Sequence, residues 1–445
     1  MRHGLPAILL AIQHQSITGL KPKLSRQLLP DQEQMTQEIP VGVGRVVRCG
    51  DDLLGNNQHM HGGLRIEVMK SEALFVLVSD LGRNLFFDDL QEDVVAQHRM
   101  PPALVERACC LLYDDPHTPN NRDGCDNMPW LIGIDEAGYG PNLGPMVQTA
   151  VGFQVPAAPC DLWEMLGEAV RRHGSGDDPR LVIDDSKKVY AAGKGLHSLE
   201  SGVLAVLDST GQELPASLGW LLARIAPAAI PELSPEPGFH PGDVLPAVTE
   251  PKKLLESARQ FHAAREQAGI SPAWVCCQIT PPSIFNARLE HRDNKADVAA
   301  HGLCLLIRAA CQAADDDEPI HFAIDRQGGR IYYSALLQSA SPDGWIEVIL
   351  ETEAKCCYSQ RTRRDLHWSF EVEAESRHFC VALASMVSKY VRELFMKQFN
   401  RYWQAQVPGL KATAGYPQDA ARFIEEIRPA MRKLGIAERA IWRRK

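Results

Sequence analysis

Four acidic residues of the chain are placed where they could do chemistry together. Asp135 and Glu136 come directly after a predicted strand, Asp325 ends a second strand, and Glu375 lies between a third strand and a long predicted helix. Carboxylates at the ends of adjacent strands converge at one edge of a sheet. Three or four of them, without cysteine or histidine, suit Mg²⁺ or Mn²⁺, and two such ions about 3.5–4 Å apart can support phosphodiester hydrolysis. Acidic residues at strand ends are also common elsewhere, so spacing alone leaves a purely structural role open.

The elements that must position these acids alternate between strands and helices from Trp130 onward. Strands are predicted over 131–134, 146–153, 273–279, 321–324, 345–351 and 368–372. Helices are predicted over 162–172, 218–225, 252–268, 295–313, 379–399 and 417–434, and a polar turn over 177–188. This pattern predicts an α/β domain with a mixed sheet and flanking helices.

The composition, with 45% hydrophobic and 23% charged residues, is that of a globular protein. Because the net charge is −9, a nucleic-acid site would have to be a local basic patch on an acidic body. The chain offers such a patch from Arg428 to Lys445, although a solvated helix face explains that stretch equally well. No apolar run is long enough to span a membrane. The 12 cysteines show no C-x-x-C spacing, so we expect reduced thiols and a cytoplasmic protein.

Residues 131–141 read LIGIDEAGYGP and are similar to the opening motif of type 2 ribonucleases H (ribonuclease HII), I-G-x-D-E-A-G-R-G-P. The second Gly-Pro of that motif is present at 144–145. Further segments resemble family motifs in family order: D-S-K-K at 185–188, a carboxylate strand at 324–325, the fourth motif with its helix over 374–392, and G-Y-P at 415–417. Each segment alone is modest evidence, but the ordered set resembles a divergent member of the family.

The resemblance implies a ribonuclease H-like fold and cleavage of the phosphodiester on the 5′ side of a ribonucleotide within a duplex. The substrate would be an RNA–DNA hybrid or duplex DNA that contains ribonucleotides, and the cofactor would be Mg²⁺ or Mn²⁺ in a two-metal site. The resemblance gives Asp135, Glu136, Asp325 and Glu375 the catalytic and metal-binding roles. It gives substrate binding to a second set of residues: Gly138, Tyr139, Gly140, Ser186, Lys187, Lys188 and Tyr416.

These substrate contacts would divide by chemistry. The loop at 138–140 would place its backbone against the ribose 2′-hydroxyl, the group that distinguishes RNA from DNA. The residues at 186–188 would contact phosphates, which set register without reading sequence. Tyr416 would stack on a nucleotide at the RNA–DNA junction. Taken by themselves, two adjacent lysines are typical of a solvated turn. A tyrosine before a proline is by itself typical of ordinary packing.

The chain also departs from the family pattern. Tyr139 stands where the family has an arginine, so a neutral hydroxyl replaces a fixed cation with five donors. Glu375 stands where the family has its fourth aspartate, and the sequence RQGGR at 326–330 departs from the usual D-G-N. The stretch between the second and third motifs is long, which predicts an inserted lobe over about residues 190–273. We therefore keep an alternative function, a catalytically impaired protein that only binds RNA–DNA duplexes.

The domain organisation follows from the same observations. Residues 1–127 hold no sustained period and end in a turn-rich stretch at 114–127. We therefore predict a poorly defined N-terminal extension, and three interpretations stay open: a disordered segment, a gene-model artefact or a small accessory domain. Residues 128–445 would form the catalytic domain, with a helical tail from about residue 416. Another nuclease of the same superfamily, such as a junction resolvase, fits the motifs at 185–188 and 415–417 less well. We expect neither a membrane nor an obligate protein partner.

Overall fold

The computed structural model describes the strands at 8–13, 45–46, 65–68 and 73–78. From residue 128 onward it describes all residues except 174–177, 192–194, 209–212, 293, 328–329 and 445. The chain divides into two compact units, Met1–Arg122 and Asp123–Lys445. The turn-rich stretch at 114–127 lies outside the described residues, and the status of residues 1–127 stays a prediction.

The first unit contains one small sheet. Its strands are β1 (Ile8–Gln13), β2 (Arg45–Val46), β3 (Arg65–Val68) and β4 (Ala73–Val78), in the order β2-β1-β4-β3. Strand β1 is parallel to β2 and antiparallel to β4, which also pairs with β3.

The second unit is built around a sheet of seven strands. These are β5 (Trp130–Ala137), β6 (Met146–Gln154), β9 (Trp274–Thr280), β10 (Ile320–Asp325), β11 (Glu347–Glu351), β12 (Lys355–Arg361) and β13 (Asp365–Glu371), and β7 (Val170–Arg171) pairs separately with β8 (Leu181–Val182). The order is β11-β12-β13-β10-β5-β6-β9, with β5, β10 and β13 parallel and β6 antiparallel to β5. The central parallel strands therefore end at the same edge of the sheet.

Helices cover both faces of this sheet. They are α1 (Leu162–Met165), α2 (Ser186–Ala191), α3 (Leu196–Leu207), α4 (Leu218–Ile225), α5 (Ile230–Leu233), α6 (Pro251–Gln267), α7 (Pro282–Arg292), α8 (Lys295–Ala313), α9 (Ser334–Ala340), α10 (Phe379–Gln406) and α11 (Pro417–Leu434). The predicted α/β class, with a mixed sheet and flanking helices, is confirmed. In the part of the chain that the structure describes, no helix is long and apolar enough to cross a bilayer.

Two apolar cores lie on opposite faces of the sheet. On one face, side chains of β6 such as Val151 and Phe153 pack with Leu383 of α10 and with α3 and α6. On the other face, Ile132 and Ile134 pack with α8 and α9. The helices over 190–273, which we predicted as an inserted lobe, thus share the first core with the long helix.

The contact between β5 and α10 depends on Gly133. A Cβ atom at this position would lie 2.1 Å from the backbone carbon of Cys380 and 2.2 Å from the nitrogen of Val381. Only a glycine lets the helix approach the strand this closely. The strand that carries Asp135 and Glu136 is therefore held directly against the helix backbone.

We expect Gly133→Ala to destabilise the domain strongly. Overpacking of a tight core costs about 1–3 kcal/mol and occasionally more, and this site belongs at the upper end because backbone atoms must move. Gly140→Ala is the matched control, since nothing lies within 4 Å of a Cβ there. Urea unfolding of both variants checks this expectation, and equal midpoints for the two would contradict it.

Two local predictions need correction. The helix predicted over 162–172 ends at Met165, after which Val170 and Arg171 form β7 instead. The turn predicted over 177–188 contains β8 and the start of α2. Strands β7 and β8 pair with each other and have only two residues each. Strands this short show no alternation of apolar and polar residues by which the sequence could predict them.

The C-terminal helix agrees with its prediction at both ends. Pro417 stands at its first turn, and Gly435 closes it with a left-handed φ of 69°. Its apolar face, including Phe423 and Ile427, packs with Phe399 and Trp403 of α10 in a third core.

Candidate functional site

Parallel pairing brings three strand ends together at one edge of the sheet. Ile324 of β10 is in register with Ile134 of β5, so Asp325 and Asp135 follow at the same level. Asp325 is in register with Glu371, the last residue of β13. A short 3-10 turn, Ala374–Ser376, follows β13 and carries Glu375.

Burial and mutual repulsion perturb the acids at this edge. Burial raises the pKa of Asp135 well above its ordinary value, and the charges of Glu136 and Asp325 add to the effect. Burial, followed by repulsion from Asp325, raises the pKa of Glu136 to about 8, and Glu375 contributes. Burial and the neighbouring Glu375 raise the pKa of Asp325 to about 6. Each of the four predicted carboxyl groups thus lies within electrostatic reach of at least two of the others.

The donor set of this edge suits a hard cation. All four groups are carboxyls, and the Oε2 atoms of Glu136 and Glu375 are buried without a hydrogen-bond partner among the described residues. An unpaired buried carboxylate oxygen is costly unless a ligand satisfies it. Within the described residues, however, no three histidine, cysteine or acidic side chains already stand in a metal-holding arrangement. The residues present therefore fit a divalent metal in their chemistry, while their convergence into one metal-binding cluster stays a prediction.

Helix α10 fastens the end of β5 through two serines. Ser385 hydrogen-bonds the hydroxyl of Ser186 at 2.9 Å, and its own hydroxyl lies close enough to the carboxylate of Asp135 to oppose the rise of the pKa of that group. Ser388 donates to Thr149 Oγ1 at 2.7 Å and lies 3.2 Å from the carbonyl oxygen of Asp135. These contacts fix the main chain and the side chain of Asp135 on the same helix.

Glu371 anchors the turn that carries Glu375. Its carboxylate accepts hydrogen bonds from Lys355 Nζ at 2.9 Å and from Arg377 Nε at 2.8 Å, and lies 3.2 Å from His378 Nε2. Burial favours its neutral form, but these cationic neighbours outweigh burial and lower the pKa of Glu371 to about 2.

The turn itself holds an unusual backbone. Glu373 adopts a left-handed conformation with φ 56°, which costs a residue with a side chain about 1–2 kcal/mol. Ala374 N donates to Asp325 Oδ1 at 3.0 Å. The turn thus joins the third and fourth predicted carboxylates.

We expect Glu371→Gln to loosen this turn. Hydrogen bonds to a charged group contribute about 1.5–3 kcal/mol, and the carboxylate's share is fully present only above its unfolded pKa of about 4.5. The stability difference between the native protein and Glu371→Gln should therefore shrink as the pH falls from about 4.5 towards 2. Urea unfolding at several pH values measures this difference. Glu347→Gln is the surface control, because Glu347 is exposed and accepts a hydrogen bond from Ser359. A difference that does not depend on pH would count against this anchor.

The lysines of the D-S-K-K segment lie on α2 and differ in their surroundings. Burial disfavours the charged form of Lys187, but attraction from nearby carboxylates outweighs burial and raises its pKa; these are Asp185, Glu375, Asp135 and Asp325. Lys188 is half exposed and lies 3.7 Å from Asp184. Ser186 is buried against Ser385. Lys187 is therefore the member of this segment that faces the acids.

The glycine loop follows the acids directly. Gly138 has φ 91°, and a Cβ there would lie 2.7 Å from the carbonyl oxygen of Pro145 and 2.8 Å from Arg392 Nε, so only glycine fits. Gly140 has open space where a Cβ would point. The Nζ of Lys295 stands 4.7 Å from the centre of the Tyr139 ring. The loop has no cationic side chain of its own, but Lys295 of α8 places one beside Tyr139.

The remaining predicted contacts lie further along the chain. Tyr416 is 55% exposed at the start of α11, free to meet a ligand. The basic stretch from Arg428 is partly neutralised, because Arg428 pairs with Glu425 and Glu438 and Arg444 pairs with Glu290.

Sequence reasoning missed several residues that shape this site. Ser385 stands in the helix segment that the motif comparison covered, but its link to Asp135 and Ser186 needs the packing of α10 on β5. Glu371 is an acid at a strand end, as the four predicted carboxylates are, so the sequence could have indicated it. Its partners Lys355, Arg377 and His378 lie outside β13 and are known only from the fold. Arg172, which stacks on Trp163 and donates to the Ser376 carbonyl at 2.8 Å, carries no signal in sequence.

No protein-family model matches the chain, and no curated protein matches it either. Among solved structures, ribonuclease HII of Archaeoglobus fulgidus, in its complex with PCNA, is 13% identical with a TM-score of 0.33, over 70% of this chain and 92% of that one. Ribonuclease H2 of Pyrococcus horikoshii OT3 is 12% identical with a TM-score of 0.33, over the same shares of the two chains. Bst-RNase HIII in complex with Mn²⁺ is 15% identical with a TM-score of 0.32, over 98% of this chain and 94% of that one. Identities and TM-scores this low carry no argument about activity.

Proposed function

We propose that this chain is a metal-dependent endonuclease that hydrolyses RNA within RNA–DNA hybrids or at ribonucleotides embedded in duplex DNA. The observation that carries the proposal is the group of buried and half-buried carboxyls near the ends of β5 and β10 and in the turn after β13, where Glu136 and Glu375 each have a buried oxygen without a hydrogen-bond partner among the described residues. Buried acids that raise one another's pKa are unfavourable for folding and are typical of functional sites. The ordered motifs of the sequence point to the same chemistry.

Asp135, Glu136, Asp325 and Glu375 would hold one or two Mg²⁺ or Mn²⁺ ions. Such ions, when bound, lower the pKa of water and neutralise charge that develops on a phosphodiester. The protein's own residues have other tasks. Ser385 orients Asp135, Glu371 holds the Glu375 turn, and Lys187 offsets part of the negative charge beside the acids.

Substrate recognition would use the loop and the lysine helix. Gly138 and Gly140 would present backbone amides to the ribose, because no side chain stands in the way. Lys187 and Lys188 would lie along the phosphates, with Ser186 holding α2 in place, and exposed Tyr416 would offer a stacking surface. Tyr139 has no charge, and Lys295 would contribute a positive charge beside it.

The second candidate is a duplex-binding protein with impaired catalysis. One observation favours it: within the described residues the acids do not already stand in a metal-holding arrangement. The Asp325 carboxyl accepts a hydrogen bond from Ala374 N at 3.0 Å and lies beside the carboxyl of Glu375, which helps to raise its pKa. Side chains must then rotate before an ion can bind.

A substrate panel separates the two candidates. The full chain is incubated with Mg²⁺ or Mn²⁺ and three labelled duplexes: DNA with one ribonucleotide, an RNA–DNA hybrid, and DNA alone. The proposal predicts a cut in the first two and none in the third. Binding of the first two without a cut would establish the second candidate, and no preference for either over DNA would contradict both.

A further inference from the structure

The segment after α11 is tied to the loop that follows the acids. Trp442 forms an antiparallel bridge with Leu143. Arg443 N donates to the Asn142 carbonyl at 2.8 Å, and Asn142 Nδ2 donates to the Arg443 carbonyl at 2.9 Å. From the other side, Asn286 Nδ2 donates to the Trp442 carbonyl at 2.7 Å. The main chain around Arg443 is therefore held between two elements.

The side chain of Arg443 reaches the loop itself. It is 1% exposed, and its Nη2 donates to the carbonyls of both Gly138 and Pro141. These two carbonyls flank Tyr139 and Gly140. The guanidinium also stands 5.1 Å from the centre of the Phe285 ring. One planar donor group thus holds both ends of the four-residue loop.

The burial of this guanidinium costs more free energy than is needed to hold the loop in place. Arg443 forms no ion pair with an acid among the described residues, and its Nε and Nη1 are buried without a partner there. Burial and the nearby Arg392 lower the pKa of Arg443 to about 9. A buried charge without a counter-ion is strongly disfavoured, so a neutral donor would fasten the loop at lower cost. Two buried arginines beneath one loop instead favour an anionic ligand on it.

We propose that Arg443 is a positioning residue that holds the Gly138–Pro141 loop in its substrate-receiving conformation and lends that loop positive charge toward a phosphodiester. This inference rests on the proposed function for its ligand, but its structural part does not. The two hydrogen bonds from Nη2 set the loop's backbone, and the charge makes the site selective for a polyanion.

The test compares three variants of the full chain. Arg443→Met removes the donors and the charge, whereas Arg443→Lys keeps the charge on a compact ammonium that need not reach the position of Nη2. Arg422→Met is the matched control, since Arg422 also donates to two backbone carbonyls, those of Lys411 and Ala412, away from the loop. The readouts are hydrogen exchange at residues 138–140 and cleavage kinetics on a duplex that contains one ribonucleotide.

We expect Arg443→Met to speed exchange at 138–140 and to raise KM about tenfold, the equivalent of about 1.4 kcal/mol of binding, with a smaller change in kcat. Arg443→Lys should recover part of the KM, and Arg422→Met should stay within about twofold. A lower melting temperature with unchanged KM and unchanged exchange at 138–140 would overturn the proposal. Because exchange needs no cleavage, it tests the clamp even if the native protein cuts no substrate, which would overturn the proposed function alone.

Discussion

Asp135→Asn is expected to lower the cleavage rate about 10³-fold or more, while raising the melting temperature of the metal-free protein at pH 8. The rate falls because the variant loses a metal ligand. A metal ion stabilises the transition state by several kcal/mol, and each loss of about 1.4 kcal/mol lowers the rate tenfold. The stability rises because Asp135 is buried beside Glu136 and Asp325, and a neutral amide removes that repulsion. The amide oxygen can still accept from Glu136 N, which now bonds the carboxylate at 2.7 Å.

The opposite signs of the two effects make this a sharp test. If Asp135 contributed only to folding, Asp135→Asn would lower both the activity and the stability of the protein. Asp316→Asn is the control, because Asp316 pairs with Arg363 and Arg364 at the surface and should leave the rate unchanged. If Asp135→Asn cuts at the native rate, Asp135 is not part of the catalytic site.

The second large effect is a linkage between metal, pH and stability. The folded protein raises the pKa of Glu136 from 4.5 to about 8 and of Asp325 from 3.8 to about 6. Between these limits the folded state binds protons that the unfolded chain has released, so stability falls as the pH rises from about 4 to about 8. A bound divalent ion favours the ionised carboxylates and should reverse that loss. At a free metal concentration 100 times its Kd, the gain is about 2.7 kcal/mol.

Unfolding at pH 5.5 and pH 8.5, with chelator and with Mg²⁺, measures this linkage. We expect the metal to stabilise the protein much more at pH 8.5 than at pH 5.5, and Asp325→Asn to weaken both the pH effect and the metal effect. Equal stabilisation at the two pH values, or none at either, would show that these carboxyls do not bind the ion.

Much of this architecture is readable from the sequence because local signals are strong there. The helices over 295–313 and 417–434 begin and end as predicted, since Asn294 caps the first and Pro417 and Gly435 bound the second. The strand that carries Asp135 is apolar up to Ile134 and is followed by a glycine loop. Asp325 and Glu375 are predicted from their places near strand ends and from the family resemblance, and the parallel register of β5, β10 and β13 brings Asp325 level with Asp135.

What the sequence does not predict depends on contacts between distant segments. The link from Ser385 to Asp135 needs α10 to lie on β5, and Gly133 allows that approach. Arg443 is 305 residues away in sequence from Gly138, in the loop that it contacts. Its basic neighbours suggested a solvated or duplex-facing tail, and nothing in its spacing distinguishes a buried arginine from an exposed one.

The measurement that tests the central claim most directly is cleavage of a 5′-labelled DNA duplex that carries one ribonucleotide. The native chain is compared with Asp135→Asn and with the native chain in chelator, across a Mn²⁺ titration. We predict a single cut on the 5′ side of the ribonucleotide that appears with metal, vanishes with chelator and is absent from Asp135→Asn. A folded native chain that leaves this duplex intact at every metal concentration, or a cut that persists in Asp135→Asn, would contradict the account.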